Sequence, residues 1–189
     1  MTRRICLRQA IVSDAGSIAK LHAHSWQTAY RGLLSNEYLD NDLEGERTAY
    51  WTTKMPSLTE KEFVLVALDD DEIIGFIAVM DLPEKGYAVL VDNLHVRPDL
   101  KGHGIGRSLM SAAAGRLVKE GVTSFYLWVL VGNVAAEHFY QSLGGTALDS
   151  KESLFGGRVV AARRFAWSDL KVLFSHKEKP LLKNGQVLL

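Results

Sequence analysis

Val89-Leu90-Val91-Asp92-Asn93-Leu94-His95-Val96-Arg97-Pro98-Asp99-Leu100-Lys101-Gly102-His103-Gly104-Ile105-Gly106-Arg107 reads as a strand, a tight glycine-rich loop and the start of a helix. Val89, Leu90, Val91, Leu94 and Val96 form the apolar run expected of a strand buried on both faces. Pro98 stops it, because proline has no N–H for a sheet ladder. Gly102, Gly104 and Gly106 then alternate, and Ile105, Leu109, Met110, Ala113 and Leu117 follow at helical spacing. Glycines let the backbone bend tightly and let a ligand approach it closely. The unpaired N–H groups at the start of the helix, with its positive dipole end, suit an anion, a phosphate above all.

Three phosphate-binding loops compete for this pattern, beside an ordinary glycine-rich turn capping a helix. A dinucleotide loop needs Gly-x-Gly-x-x-Gly, whereas the spacing here is Gly-x-Gly-x-Gly, and its strand is not the first of the chain. A nucleotide P-loop needs Gly-Lys-Ser/Thr after its second glycine, which is absent. The third is the pyrophosphate loop of acyl-coenzyme A transferases, (Arg/Gln)-x-x-Gly-x-(Gly/Ala). Lys101-Gly102-His103-Gly104-Ile105-Gly106 fits it with Lys101 in place of the usual Arg or Gln.

A second motif follows. Leu127-Trp128-Val129-Leu130-Val131-Gly132-Asn133 leads into a helix with Ala135, Ala136, Phe139, Tyr140 and Leu143, then Gly144-Gly145. Taken with the loop, it resembles the GNAT superfamily of N-acetyltransferases from about residue 3 to 168, most strongly from Leu90 to Gly145. Ser25-Trp26 and Ala29-Tyr30-Arg31-Gly32-Leu33-Leu34 are similar to the substrate-side segment of a common bacterial branch.

The resemblance implies an α/β (α+β) GNAT acyl-CoA N-acyltransferase fold. Its sheet is mixed and mostly antiparallel, with a splayed central strand pair and flanking helices. It also implies acetyl transfer from acetyl-coenzyme A to an amine, by direct attack in a ternary complex and without a metal. The backbone from Gly102 to Arg107 (Gly102, His103, Gly104, Ile105, Gly106) would hold the pyrophosphate, with charge added by Lys101 and Arg107. Leu94, His95 and Val96 would pair with the pantetheine arm, an N–H near Leu94 facing the thioester oxygen. One such oxyanion donor is worth about 3 kcal/mol of barrier. Tyr140 matches the family's general acid: a phenol near pKa 10 keeps its proton at neutral pH and can give it to a leaving thiolate. Asn133 would contact the cofactor, cap its helix, or do both.

Each of these residues also has a plainer reading: surface cations at Lys101 and Arg107, core strand residues at 94 to 96, and a core aromatic at Tyr140. Some members place a basic Glu on the strand before the Asn; Trp128 occupies that position here. Asp92, His95, His22, His24 and a water chain stay open as the base. In a regular strand Asp92 and Leu94 share one face and His95 the other. Trp26, Tyr30 and Tyr38 are the expected lining of the acceptor pocket, or a core stripe. A small-molecule amine is the expected acceptor. The alternatives are protein lysines or N-termini, and a non-catalytic acyl-coenzyme A sensor.

Composition bounds these readings. The 189 residues carry 22 Lys+Arg against 22 Asp+Glu, a net charge of zero that argues against a nucleic-acid-binding surface. The length favours one domain, 47% of residues are hydrophobic, and no apolar run is long enough to span a bilayer. The lone Cys6 forms no internal disulfide, sits far from both motifs, and fits a reducing, cytoplasmic setting. Homodimers are common in this fold.

The remaining expected elements are a strand over Ile5 to Ala10, a helix capped by Ser13 and ended by Gly32, and a helix over Tyr38 to Trp51. A hairpin follows over Phe63 to Leu68 and Ile73 to Met80, with Asp69-Asp70-Asp71-Glu72 as a solvated turn rather than a metal loop. Helices over Ile105 to Glu120 and Val134 to Leu143 bracket a strand over Phe125 to Val131. A last hairpin runs from Thr146 to Trp167 through Gly156-Gly157. Residues 1–170 form the expected domain. Residues 171–189 are expected to be a tail, mobile or packed on a neighbour, because Leu181 to Leu189 shows no period.

Overall fold

In the computed structural model, residues 5–174 are described in full, and 181–183 and 186–188 as backbone. The elements run β1 (Ile5–Gln9), α1 (Ala15–Ala29), α2 (Leu43–Lys54), β2 (Phe63–Asp69), β3 (Glu72–Met80), β4 (Val89–Val96), α3 (Ile105–Lys119), β5 (Phe125–Leu130), α4 (Val134–Ser142), β6 (Thr146–Phe155), β7 (Arg158–Trp167), β8 (Leu181–Lys183) and β9 (Gln186–Leu188). A π-helical turn, Tyr38–Asp42, leads into α2.

The described strands form one sheet in the order β6-β7-β5-β4-β3-β2-β1-β9-β8. The β4–β5 pairing is parallel, as expected for strands joined by a helical crossover; the others are antiparallel. Buried side chains lie on both faces. Leu109, Met110, Ala113 and Leu117 of α3 pack with Val91, Phe125 and Phe165 on one face. Ile18 of α1 and Trp51 of α2 pack with Val66 and Phe76 on the other. Trp51 and Phe76 are fully buried, and such a side chain contributes on the order of 1.5–3 kcal/mol by leaving water.

Two irregularities shape the middle of the sheet. β4 and β5 pair only at Val89–Phe125 and Leu90–Tyr126, then part. In the β3–β4 ladder the register slips, with Val91 opposite Val79 but Asn93 opposite Ala78, so Asp92 is the extra residue of a β-bulge. The bulge overturns the alternation expected of a regular strand. Asp92 meets Tyr50 of α2 and His95 meets Ser25 of α1, so both face the α1/α2 side, while Leu94 packs into the α3 side.

The first helix differs at both ends from its expected limits. Ser13 does not cap it. A 3-10 turn, Val12–Asp14, precedes it, and the Asp14 carboxylate accepts from the Ile11 N–H (2.8 Å) and from Arg8 (2.6 Å). Helical geometry ends at Ala29, before Gly32. The final hairpin turns through Gly156 and Gly157, both at positive φ (52° and 73°), as a two-residue turn of that hand requires. Across the expected boundary between domain and tail, Leu170–Leu173 is a 3-10 turn with Leu170 and Leu173 buried, and within the tail β9 pairs with the outer edge of β1. Three-residue strands are too short to leave a period in the sequence. The remainder of that segment, 175–180, 184–185 and 189, lies outside the described residues.

Candidate active site

The parting of β4 and β5 opens a cleft of about 790 Å³. The loop before α3 closes one end. Gly104 holds φ 83° as the N-cap residue of α3, a left-handed conformation that glycine adopts without strain. Among the described residues, the backbone N–H groups from Gly102 to Arg107 meet no protein acceptor. They cluster at the positive end of a fifteen-residue helix, a ready anion site. Lys101 and Arg107 flank it, and Gly106 lets α4 approach, since a Cβ there would stand 3.2 Å from Phe139.

Of the residues expected at the cofactor site, Leu94, His95, Val96, Lys101, Gly102, Gly104, Ile105, Gly106, Arg107 and Asn133 line this one cleft, as does Tyr140. His103 does not. Its ring Nδ1–H donates to the Lys101 carbonyl (3.1 Å), which leaves the side chain on the loop's outer side. Asn133 caps α4 by accepting from the Ala136 N–H (3.3 Å) while it also faces the cleft. Tyr140 is almost wholly buried, and burial raises its pKa above the usual phenol value, with the nearby Tyr30 hydroxyl adding to the shift. Tyr30 is itself pushed up to about 12 by burial, partly offset by Asn133.

Trp26 and Tyr30 line the cleft, with their rings edge to face at 5.0 Å. Tyr38 does not line it. The Tyr38 hydroxyl donates to Glu46 (2.6 Å), and its ring lies directly under the Gly156 backbone, so it supports the tip of the β6–β7 hairpin. Lining residues outside the sequence expectations include Arg47 and Tyr50 from α2, and Lys151, Ser153 and Phe155 from β6. Their one sequence signal was that β6 and α2 carry polar groups beside aromatics, which also describes ordinary surface.

The structure sorts the possible bases. His24 lies exposed and His22 is buried, and neither lines the cleft. His22 accepts from the Trp51 indole (3.0 Å) and stacks on His95 at 4.4 Å. His95 does line the cleft, but burial pulls its pKa down to about 3 and its Nδ1 is engaged with Ser25 Oγ (3.0 Å). Asp92 opens onto the cleft with protein packed around it. Burial raises its pKa, against the opposing pull of the Tyr50 hydroxyl, Arg47, Lys54 and Asn93. A carboxylate raised in this way is a better proton acceptor than an ordinary one.

Residues 24–145 match the profile of the acetyltransferase (GNAT) family. The chain belongs to that family, and it is an acyltransferase. It is 24% identical over 172 residues to the N-acetyltransferase YuaI of Bacillus subtilis, covering 89% of this chain and 96% of that one. It is 24% identical over 155 residues to the spermidine N(1)-acetyltransferase of Thermoplasma acidophilum, covering 79% and 92%. The paiA N-acetyltransferase from Thermoplasma acidophilum, solved with coenzyme A, superposes with a TM-score of 0.69 at 21% identity, over 86% of this chain and 98% of that one. Within this GNAT chain, no group of three or more His, Cys, Asp or Glu among the described residues could hold a metal ion, and no helix there is long and apolar enough to cross a membrane.

Proposed function

We propose that this GNAT acyltransferase moves an acetyl group from acetyl-coenzyme A to the primary amine of a small molecule, by direct attack in a ternary complex. The observation that carries the reading is the cleft itself. It runs between two strands that part after Leu90, with free loop N–H groups at one end and Tyr140 along its wall.

The loop from Gly102 to Arg107 binds the pyrophosphate, helped by Lys101 and Arg107. β4 beyond Leu90 has no strand partner on its β5 side, so its free backbone groups pair with the pantetheine arm. A backbone N–H near Leu94 then stabilises the oxygen of the tetrahedral intermediate. The acceptor enters from the side of Trp26 and Tyr30. Its ammonium gives a proton to Asp92, directly or through water, and the freed nitrogen attacks the thioester carbon. The C–S bond breaks and the sulfur leaves with the Tyr140 proton, while the nitrogen sheds its second proton as the amide forms and returns it, through water, to the Tyr140 phenolate. A lysine-like amine arrives charged because its pKa is about 10.4, so the raised pKa of Asp92 assists the first step. An enclosed, aromatic-lined cleft suits a small acceptor better than a protein surface.

The test is thiol release from acetyl-coenzyme A against polyamines, aminoglycosides, amino acids, N-terminal peptides and lysine peptides. Turnover with a small amine is expected. Tyr140→Phe is expected to lower kcat by about 10²-fold or more while leaving acetyl-coenzyme A affinity unchanged. Tight cofactor binding with no release from any acceptor would point instead to a sensor. Absence of coenzyme A binding would overturn the assignment of the loop.

A further inference from the structure

The acceptor half of the cleft has the wrong charge for a polyamine. Apart from the cations beside the phosphate loop, its charged side chains are Arg47, Lys151 and Asp92. A molecule bearing two or more ammonium groups and no anion would find one carboxylate and two cations there. Like charges brought together in a partly desolvated site repel, so such an acceptor is disfavoured.

Two buried donors in the same wall lack acceptors. Arg47 Nε and Trp26 Nε1 are each sealed from solvent, with no hydrogen-bond partner among the described residues. They belong together, because the Arg47 guanidinium lies over the Trp26 ring at 5.2 Å and over the Tyr50 ring at 5.6 Å. Arg47 is not consumed by its neighbouring carboxylates. Its contact with Glu46 is a long one, 3.3 Å, and Glu46 is committed to the Tyr38 hydroxyl at 2.6 Å. Asp92 is held by the Tyr50 hydroxyl (3.1 Å) and the Asn93 amide (2.6 Å). Guanidinium and indole N–H groups can only donate, so a ligand that satisfies both must bring acceptor oxygens. An unsatisfied buried donor is costly, and these two leave unmet donor capacity in side chains that line the cleft. Lys151, stacked over Trp128 at 4.1 Å, adds a second cation from the β6 side.

We infer that the acceptor is an amine that also carries a carboxylate, an amino-acid-like zwitterion whose carboxylate is bound by Arg47 and the Trp26 indole while its amine is directed to Asp92. The inference rests on the acetyltransfer reading and names its substrate class. A planar guanidinium matches a carboxylate with two donors at once, which lysine cannot do. Aromatic faces beneath the guanidinium hold it in place without neutralising it.

The experiment compares acceptor pairs that differ at one group: free amino acids, the same amino acids as carboxamides, and the matching amines without the carboxyl carbon. Thiol release is measured with saturating acetyl-coenzyme A, and cofactor binding is followed separately by calorimetry. The free carboxylate is expected to be preferred in kcat/KM by at least about tenfold. Arg47→Met keeps the apolar stem and is expected to reduce that preference to near unity, with Tm and acetyl-coenzyme A affinity retained. Arg47→Lys should recover part of it, and Lys151→Met should lower it less. Equal or better turnover of the amides, the plain amines or spermidine would overturn the inference while leaving the acetyltransfer reading intact. So would a preference that survives in Arg47→Met, or intact cofactor binding with no carboxylate-bearing acceptor accepted. Loss of acetyl-coenzyme A binding in the native protein would instead overturn the reading beneath it.

Discussion

Asp92 and His95 lie on the same strand, face the same side, and are pushed in opposite directions from their ordinary pKa values. For His95 the neutral form is favoured in the folded chain, by burial first and by Lys101 and Arg47 after it. Its contribution to stability is complete above the unfolded value near 6.5 and is lost as pH falls towards about 3. His22, also lowered mainly by burial, acts with the same sign. Tm is therefore expected to fall between pH 7 and pH 5. His95→Gln, which takes up no proton, is expected to flatten that fall, and equal slopes in the two proteins would place the acid sensitivity elsewhere. Asp92 has the opposite sign. Its raised pKa means that the stabilising form is the protonated one, present below its ordinary 3.8 and lost as pH rises through the raised value. Asp92→Asn is expected to keep or raise Tm at pH 7 while lowering kcat by about 10²-fold. A large loss of Tm with unchanged kcat would make Asp92 a structural residue.

The loop before α3 allows a comparison of two glycines with different work. Gly104 holds φ 83° with open space around it, so alanine there meets no clash and suffers only the left-handed conformation, about 1–2 kcal/mol. Gly106 is helical, but a Cβ there would press on Phe139 at 3.2 Å. Gly104→Ala is expected to weaken acetyl-coenzyme A binding more than it lowers Tm, because it distorts the N–H cluster. Gly106→Ala is expected to lower Tm by loosening the α3–α4 contact. Calorimetry and thermal melts on both variants separate the two effects. This loop, β4, β5 and α4 were readable from sequence because hydrophobic period and glycine spacing coincide over a contiguous stretch. The bulge at Asp92 was not, since one extra residue leaves the apolar pattern of Val89, Val91, Leu94 and Val96 almost unchanged and yet moves every later side chain across the strand. Arg47 and Lys151 were missed for a different reason. Each sits on an otherwise polar element, and only the tertiary fold brings them to one cleft.

For the molecule as a whole, the sheet is held together along most of its ladders but joined at β4–β5 by only two paired positions. A ligand that fills the gap bridges the two halves and binds the folded state alone. At a hundred times its Kd, acetyl-coenzyme A is expected to add about 2.7 kcal/mol. For a chain of this size that raises Tm by about 5–10 °C. An acceptor amine added without the cofactor is expected to shift Tm much less, and a larger shift from the amine would show that the cleft is ordered from the acceptor side first. Element order from Phe63 to Trp167 and the two hairpins, β2–β3 and β6–β7, were legible at this scale because each element is long enough to show its period. The pairing of β9 with β1 was not, because no short-range pattern in the chain announces it.

The two ends of the cleft also come from different parts of the chain. The proposed cofactor end is drawn from Leu94 to Tyr140, whereas the acceptor end joins Ser25 to Tyr50 with Lys151 to Ala162, the hairpin tip resting on Tyr38. Substitutions at one end that spare Tyr30 and Tyr50, which touch Asn133 and Asp92, can therefore accumulate without disturbing the other. A library randomised at Arg47, Lys151 and Ser153, with Tyr50 kept because its hydroxyl holds Asp92, would explore new acceptors on an unchanged acetyl-donating engine.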